Sequence, residues 1–394
     1  MPKKRGNHEG TIVRRKDGRW MASISIGHDP TTGKLKRVSF YGKTRKEGAD
    51  LLAQALGDLH HGAFVALHKL TVGQWLETWL RDYKQAKICP LTFDNYERLI
   101  RGHLLPTLGT IPLKELRPEH VQQFYNQQRQ AGLSAGTIRV IHAVLHGALR
   151  QAMRNQLVMR NVSEATERPS GKTRRMTPLT KMQVGQLLTA IAKHRLYPAI
   201  LLGFGTGLRR GELLALRWQD VDLEAGVLHV RQTLERVRNH ATTEPGKRTC
   251  LIFQEPKTEQ SRHTIPIPAD IAEVLKQHKA RHAEEKLRMG QAYTDYGLVF
   301  CWPHGTPLDP EDFRKRFVQP CQQAGLPPIR LHDTRHTFAT LMLKLGQAPK
   351  TVQTMLGHTT IATTLDIYSH VPLDLEKQAA AKLNLLFREA VSAP

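Results

Sequence analysis

Apolar and polar residues alternate near the start of the chain, and this alternation predicts a small sheet followed by a helix. Three strands are predicted, over residues 11–15, 20–27 and 35–41. A capping box, Thr44 with Glu47, predicts where the helix begins. The buried side of this helix is predicted to consist of Ala49, Leu51, Leu52, Ala55 and Leu59. Residues 1–63 are therefore expected to form a three-stranded sheet packed on one helix.

Residues 64–160 carry apolar side chains at intervals of three and four, the period of amphipathic helices. A second capping box, Thr71 with Gln74, predicts the start of the first helix. Its apolar stripe is predicted to be Val72, Trp75, Leu76, Trp79 and Leu80. Further helices are predicted over residues 92–103, 118–129 and 134–155. The last is predicted to bury Ile138, Ile141, Leu145, Ala148 and Leu149. This segment is predicted to be an all-α domain.

Residues 161–177 show no apolar period, so an interdomain linker is predicted there. Residues 178–394 are predicted to form a third domain, mainly α-helical (α+β) with a small antiparallel sheet. Its strands are predicted over residues 227–232, 251–253 and 263–266. Residues 236–248 are predicted to be an exposed insertion, and residues 373–387 a final amphipathic helix. The predicted fold class is thus multidomain, with a β-sheet-plus-helix module, an all-α domain and this third domain in chain order.

A stretch of the third domain, residues 331–371, concentrates polar groups on short helices. His332 and Arg335 are three residues apart and so share a helix face. Gly357 is typical of a left-handed helix end, which places His358 just beyond the helix. A new helix is predicted to follow, and its buried face is predicted to consist of Ile361, Thr364, Leu365 and Tyr368. Taken alone, a tyrosine on such a stripe is usually a core residue, and a histidine–arginine pair is usually a surface pair.

Two further polar residues lie earlier in the third domain. Arg209 occupies a glycine-flanked turn that leads into a short helix, where a guanidinium can bind phosphate through two hydrogen bonds. Lys257 lies between the last two predicted strands of the domain. Its ammonium group is therefore expected at the tip of a hairpin.

Composition narrows the classes of function. The chain has 394 residues and 40% hydrophobic content, with no apolar run of 18 residues and no apolar leader, so we expect a cytoplasmic protein without a membrane partner. Its four cysteines are far apart and show no CxxC spacing, which indicates neither a disulfide framework nor a zinc module. The net charge of +23 is spread over all three predicted domains, and such a field favours a polyanionic partner, which we expect to be nucleic acid.

Basic residues in the first two domains and the linker are the candidate DNA contacts. The candidates are Arg14, Arg15, Arg19, Lys36, Arg37, Arg139, His142, Arg150, Lys172 and Arg174. On the first sheet they would allow its strands to lie in a DNA groove. The alternative is that these residues form solvated basic faces with no ligand.

Five sequence blocks resemble, in order, those of the tyrosine recombinases, the phage integrase family. The blocks are TGLRRGELLAL around Arg209, PKTEQSRHTIPIP around Lys257, LHDTRHTFAT with His332 and Arg335, LGH at His358, and TTLDIYSHV at Tyr368. One block alone is a weak indication, whereas five in order are not expected by chance. Residues 1–63 are similar to the arm-binding domain of lambda-type integrases, and residues 64–160 to their helical core-binding domain.

The resemblance implies a site-specific recombinase that integrates and excises a mobile element. It implies DNA cleavage through a 3′-phosphotyrosyl link, without a metal or nucleotide cofactor. Tyr368 is implied as the nucleophile, and Arg209 and Arg335 as a clamp on the scissile phosphate. Lys257 is implied as the general acid that protonates the departing 5′ oxygen.

The two histidines complete the implied site. His332 is implied as a general base or proton relay, and His358 as a hydrogen-bond donor to the phosphate. Zinc is a competing use of His332, His336 and His358, but no glutamate follows the first histidine as an HExxH motif requires.

The implied partners are double-stranded DNA, at core and arm attachment sites, and an accessory DNA-bending or directionality factor. The resemblance also implies a homotetramer on DNA. The final helix then either docks on a neighbouring subunit or covers its own domain, through Leu375, Leu383, Leu386 and Phe387.

Two other functions remain open at this point. A type IB topoisomerase would share this kind of catalytic core, although the arm-like module argues against it. A non-enzymatic DNA-binding regulator would keep the fold but lack one or more catalytic positions, and all six are present.

Overall fold

A computed structural model describes residues 10–28, 35–60, 70–167, 170–171, 178–242, 244, 248–256, 262–327 and 329–368. At positions 26–28, 35–36, 54, 58–60, 363 and 366–368 it describes the backbone alone. The chain divides into two compact units, Met1–Thr173 and Arg174–Pro394.

The first unit begins with an antiparallel sheet of three strands in chain order. These are β1 (Thr11–Arg14), β2 (Trp20–His28) and β3 (Leu35–Gly42), and α1 (Arg45–His60) follows them. The predicted capping box is present, because Thr44 Oγ1 accepts the Glu47 amide at 3.1 Å and the Glu47 carboxylate accepts the Thr44 amide at 3.4 Å. The predicted sheet-plus-helix module is confirmed.

The core of this module contains Ala22, Ile24 and Leu52, with Leu56 packed against them. One predicted core residue is wrong: Leu51 is 37% exposed. The helix turns Leu52 and Leu56, which are four residues apart, toward the sheet, and this rotation leaves Leu51 on the solvent side. The side chain of Leu59 lies outside the described residues.

Residues 70–167 of the first unit are mainly helical. Their α-helices are α2 (Val72–Thr78), α3 (Pro90–Leu99), α4 (Leu105–Leu108), α5 (Pro118–Gln130) and α6 (Ala135–Arg154). Turns of π-helix, Trp79–Lys84 and Ile100–Leu104, extend α2 and α3. The Thr71–Gln74 capping box is present, and all ten residues predicted for the stripes of α2 and α6 are buried. The Trp75 indole donates to Ala148 O at 2.9 Å and so joins these two helices.

The start of the predicted linker is packed rather than extended. Residues 162–165 form a 3-10 helix, and Asn161 and Ser163 are 3% and 1% exposed. The Asn161 amide nitrogen lies 3.1 Å from His146 Nδ1 and donates to His146 O at 3.2 Å. These are polar contacts, which explains why apolar periodicity does not predict them.

The second unit contains eight α-helices among the described residues. They are α7 (Lys181–Ala190), α8 (Tyr197–Thr206), α9 (Arg210–Ala215), α10 (Ala269–Met289), α11 (Pro310–Gln323), α12 (His332–Lys344), α13 (Pro349–Leu356) and α14 (Ile361–Tyr368). The main core contains residues of all five helices from α7 to α11, among them Leu187, Leu202, Leu275, Phe313 and Phe317. A smaller cluster that includes Phe338 and Leu356 joins α12 to α13. In the described part of the chain, no helix combines the length and apolarity that crossing a bilayer requires.

Among the described residues of this unit, five short strands form two antiparallel sheets. The strands are β4 (Val221–Asp222), β5 (Val227–His229), β6 (Thr233–Arg238), β7 (Thr249–Gln254) and β8 (Thr264–Pro266). Their order is β4-β5-β8 in one sheet and β6-β7 in the other. Two expectations are therefore wrong. The segment that contains Lys257 connects two sheets instead of closing a hairpin, and residues 236–238 belong to β6, with Val237 5% exposed, instead of an exposed insertion.

The stripe predicted for α14 is also wrong in part. Ile361 and Leu365 are 40% and 44% exposed, whereas Thr364 is 0% exposed. The helix thus turns a threonine, and not its aliphatic residues, toward the interior. The predicted final helix, with Leu375, Leu383, Leu386 and Phe387, lies outside the described residues.

Candidate active site

Arg209 follows a helix end that requires glycine. Gly207 ends α8 in the left-handed region (φ 68°, ψ 19°), and a Cβ there would lie 2.6 Å from atoms of Phe338 and Leu356. The backbone of Arg209 is extended and begins α9. The Glu212 carboxylate accepts the Arg209 amide at 2.8 Å and Arg209 Nη1 at 2.6 Å. One carboxylate therefore orients both the backbone and the guanidinium of Arg209.

Arg335 lies in the first turn of α12 and is 3% exposed. Its Nη1 donates to Gly207 O at 2.9 Å, and its Nη2 donates to Leu356 O. The guanidinium thus binds the carbonyl groups at the ends of α8 and α13. Burial, followed by the charge of Arg209, lowers the pKa of Arg335 to about 9, which leaves it charged at neutral pH.

The two arginines converge on the same end of α13. Arg209 Nη2 donates to Gly357 O at 3.2 Å, and Gly357 directly follows Leu356. Glu212 pairs with Arg209, while no carboxylate among the described residues forms an ion pair with Arg335. Two guanidinium groups and one carboxylate leave one positive charge in excess. This excess, on donors with fixed geometry, suits a bound anion.

His332 is the first residue of α12 and keeps exposed surface. Its ring lies edge-on to that of His336, with centroids 5.0 Å apart. Desolvation, then the charges of His336 and Arg335, lowers the pKa of His332. Because His332 is exposed, water limits this desolvation, and the guanidinium charges of Arg335 and Arg209 act in the same direction. They favour a neutral imidazole, which is the form that accepts a proton.

His358 follows Gly357, which ends α13 in the left-handed region (φ 59°, ψ 43°) as predicted. The Gln353 side chain donates to His358 O at 3.0 Å, and the His358 amide donates to Gln353 O at 3.1 Å. Its Nδ1 lies 2.9 Å from Thr364 Oγ1. Burial, then the charges of Arg335 and Arg209, lowers the pKa of His358 to about 4. The imidazole is therefore neutral at pH 7.

The structure brings together four of the six predicted catalytic residues: Arg209, His332, Arg335 and His358. Tyr368 is the last residue of α14, so its backbone is placed in the element that follows His358, but its side chain lies outside the described residues. Lys257 also lies outside them. The roles of all six remain predictions.

The candidate DNA contacts of the first sheet fall on two faces. Arg14 pairs with Trp20 on the face that α1 covers, whereas Arg37 pairs with Ser25 on the opposite face. Arg15 lies 5.4 Å from the centre of the Tyr41 ring, and Arg19 binds Asp17 through two hydrogen bonds. These four arginines are exposed. The Lys36 side chain, Lys172 and Arg174 lie outside the described residues.

The candidates on α6 differ from one another. Arg139 and Arg150 are exposed, and their separation of eleven residues puts them on one side of the helix. His142 is instead half-buried, and its Nδ1 lies 2.8 Å from the Tyr125 hydroxyl. Its ring also stacks on that of His146, at 5.9 Å. His142 therefore takes part in the packing of the helical domain.

The sequence analysis did not predict three residues of the site: Glu212, Gln353 and Thr364. The pairing of Glu212 with Arg209 was predictable from local sequence, because Glu212 lies three residues after Arg209 at the start of a short helix. Thr364 was placed on an inner stripe but was given no role. Nothing in the sequence distinguished Gln353, whose 8% exposure and contact with His358 depend on the fold.

Two family models and several relatives match the chain. The phage integrase family model matches residues 177–373, and the model for a phage integrase N-terminal SAM-like domain matches residues 71–128. A tyrosine recombinase XerC-like protein of Caldanaerobacter subterraneus is 33% identical over 380 residues, which is 93% of this chain and 96% of that protein. An integrase of Streptomyces ambofaciens is 30% identical, over 93% of this chain and 94% of that protein.

Solved structures show the same fold. The Tn1549 transposon integrase in complex with transposon right end DNA matches with a TM-score of 0.67 and 24% identity, over 80% of this chain and 99% of that chain. A lambda integrase dimer bound to a COC′ core site matches with a TM-score of 0.57 and 21% identity, over 93% of this chain and 96% of that chain.

The chain belongs to the phage integrase family, the tyrosine recombinases. It is accordingly an enzyme of site-specific DNA recombination, which integrates the DNA of mobile elements.

Proposed function

We propose that the site around Arg209 and Arg335 binds the scissile phosphate of double-stranded DNA and exchanges DNA strands through Tyr368. The observation that carries this proposal is the convergence of two guanidinium groups at the end of α13, one of them paired with the Glu212 carboxylate. Attack on a phosphodiester adds negative charge to its nonbridging oxygens. Forked donors held in place before the reaction stabilise that charge.

The proposed chemistry transfers one ester bond to another. The Tyr368 oxygen bonds to phosphorus as the bond from phosphorus to the 5′ oxygen breaks, which gives a 3′-phosphotyrosyl link and a free 5′ hydroxyl. The phenol proton passes to neutral His332, and Lys257 protonates the departing 5′ oxygen. Since one phosphoester replaces another, rejoining needs no external source of energy. His358 donates a hydrogen bond to the phosphate.

The other assignments follow the domain order. Residues 1–63 are proposed to bind arm-type sites, residues 64–160 core sites, and residues 178–394 to carry the chemistry, with 161–177 as the linker. A homotetramer on DNA is proposed, with an accessory DNA-bending or directionality factor. The net charge of +23 supports a polyanionic partner for the whole chain.

A nicked suicide substrate tests the chemistry. Its short 5′-hydroxyl fragment diffuses away after cleavage and traps the covalent adduct. We expect the full chain to form the adduct with a chelator present and Tyr368→Phe to form none. Tyr296→Phe is a matched control, because Tyr296 is an exposed tyrosine of the same unit. DNA binding without an adduct would contradict the proposal, and so would relaxation of any supercoiled plasmid regardless of sequence.

A further inference from the structure

Thr364 is buried where an apolar residue would be expected. Of the α14 side chains that the structure describes, those of Ile361, Ala362 and Leu365 are exposed, and Thr364 alone is buried, at 0% exposure. A buried hydroxyl needs a hydrogen-bond partner, since leaving it unpaired costs free energy. The residue is therefore placed for a polar contact and not for hydrophobic packing.

That contact is with the side chain of His358. Thr364 Oγ1 lies 2.9 Å from His358 Nδ1. The backbone of His358 is held separately by Gln353, whose Nε2 donates to His358 O at 3.0 Å. Within the described part of the chain, no hydrogen bond engages His358 Nε2. The backbone of this histidine is thus fixed by α13 and its ring by α14, with one ring nitrogen left for a ligand.

The protonation of the ring decides what that nitrogen can do. A neutral imidazole carries one N–H, and the hydrogen bond at one nitrogen determines which nitrogen keeps the proton. Burial and the charges of Arg335 and Arg209 hold His358 in the neutral form. If Nδ1 accepts a hydrogen bond, the proton stays on Nε2, and Nε2 can then donate to an anion. A serine or threonine hydroxyl can donate such a bond, whereas valine cannot.

We propose that Thr364 is a positioning residue, whose hydroxyl donates to His358 Nδ1 and so keeps the proton of His358 on Nε2, directed to the phosphate. Thr364 lies one helical turn before Tyr368, so the same hydrogen bond fixes the helix of the proposed nucleophile against the end of α13. The inference rests on the proposed role of His358. It adds a connection between the histidine and the tyrosine through one hydroxyl group.

Matched substitutions at Thr364 test the inference in the full chain. Thr364→Val keeps the shape of the side chain and removes the hydroxyl, and Thr364→Ser keeps the hydroxyl. We expect Thr364→Val to slow single-turnover cleavage of the nicked substrate by about 10-fold to 100-fold. DNA affinity should be unchanged, and Thr364→Ser should restore most of the rate. Thr354→Val is the control, because Thr354 is exposed on α13 and bonds Lys350 O, and it should cleave at the wild-type rate.

A double-mutant cycle separates positioning from a general effect on packing. If Thr364 acts through His358, Thr364→Val should cause no further loss of rate in a His358→Ala background. An equal loss in both backgrounds would overturn the inference, as would wild-type cleavage by Thr364→Val while His358→Ala is slow. If His358→Ala itself cleaves at the wild-type rate, the proposed role of His358 fails and this inference fails with it. Thr364→Ala, which also lacks the hydroxyl, provides the same comparison if the valine variant does not fold.

Discussion

The Glu212→Gln substitution removes the carboxylate that pairs with Arg209 while keeping the shape of the side chain. Glu212 is 5% exposed and Arg209 37% exposed, so their ion pair is intermediate between a buried and a surface pair. Loss of one partner costs about 3–5 kcal/mol in a fully buried pair and about 0–1 kcal/mol at the surface. Glutamine still accepts one hydrogen bond, so we expect a loss of about 2 kcal/mol in the free energy of unfolding.

Glu311→Gln is the matched control. Glu311 pairs with Arg314 at the same spacing of three residues, but the two side chains are 39% and 44% exposed. We expect this variant to lose less than about 1 kcal/mol. Urea unfolding of the full chain measures both losses, and a melting temperature about 4–8 °C lower for Glu212→Gln corresponds to the larger one. Equal losses for the two variants would refute the assignment of Glu212 as a buried partner of Arg209.

Three further predictions concern other parts of the chain. Gly207→Ala should lower the free energy of unfolding by at least about 2 kcal/mol, because its Cβ would meet Leu356 and Phe338. Gly325→Ala is the control, since Gly325 has a similar φ of 65° with open space around it, and this variant should lose about 1 kcal/mol. Equal losses in urea unfolding would contradict the prediction. Burial lowers the pKa of His278 to about 4, so the unfolded state binds more protons between pH 6.5 and 4, and the contribution of His278 to stability, about 3 kcal/mol, should be complete above pH 6.5 and be lost toward pH 4. His278→Gln should make that part of the stability curve less steep, with the slope of the other buried histidines remaining, and an unchanged slope would contradict the prediction. Arg150→Ala should weaken DNA binding and reduce the slope of log affinity against log salt by about 1, and an unchanged slope would show that Arg150 contacts no phosphate.

Local rules predicted the features that depend on neighbouring residues. The capping boxes at Thr44 and Thr71 and the left-handed end at Gly357 each involve residues within one helical turn. The stripe on α6 depends on the helical period, and its five predicted positions are all buried. The pairing of strands was not predicted correctly, because proximity in sequence suggested that β7 would pair with β8, while the fold pairs β7 with β6.

In the candidate site, too, local features were predictable from the sequence and long-range contacts were not. The family motifs predicted six catalytic residues, and the structure brings four of them together. The hydrogen bonds that position these side chains could not be predicted, because they join residues far apart in sequence. Arg335, for example, donates to the carbonyl of Gly207, which is 128 residues away. The periodicity of α14 was misleading for a related reason. Its interior position is defined by a hydrogen bond to His358, so Thr364 is buried while Ile361 and Leu365 are exposed.

The central claim is that the paired guanidinium groups stabilise charge on a single phosphate, and a methylphosphonate at the scissile position tests it directly. The methyl group replaces one charged nonbridging oxygen, so less charge develops during attack and a missing arginine should matter less. We predict that Arg209→Ala and Arg335→Ala cleave the ordinary phosphate poorly, about 100-fold or more below wild type, and recover much of that loss on the methylphosphonate. If both variants bind DNA but show the same relative defect on the two substrates, the arginines do not act on the charge of the phosphate, and the account is wrong.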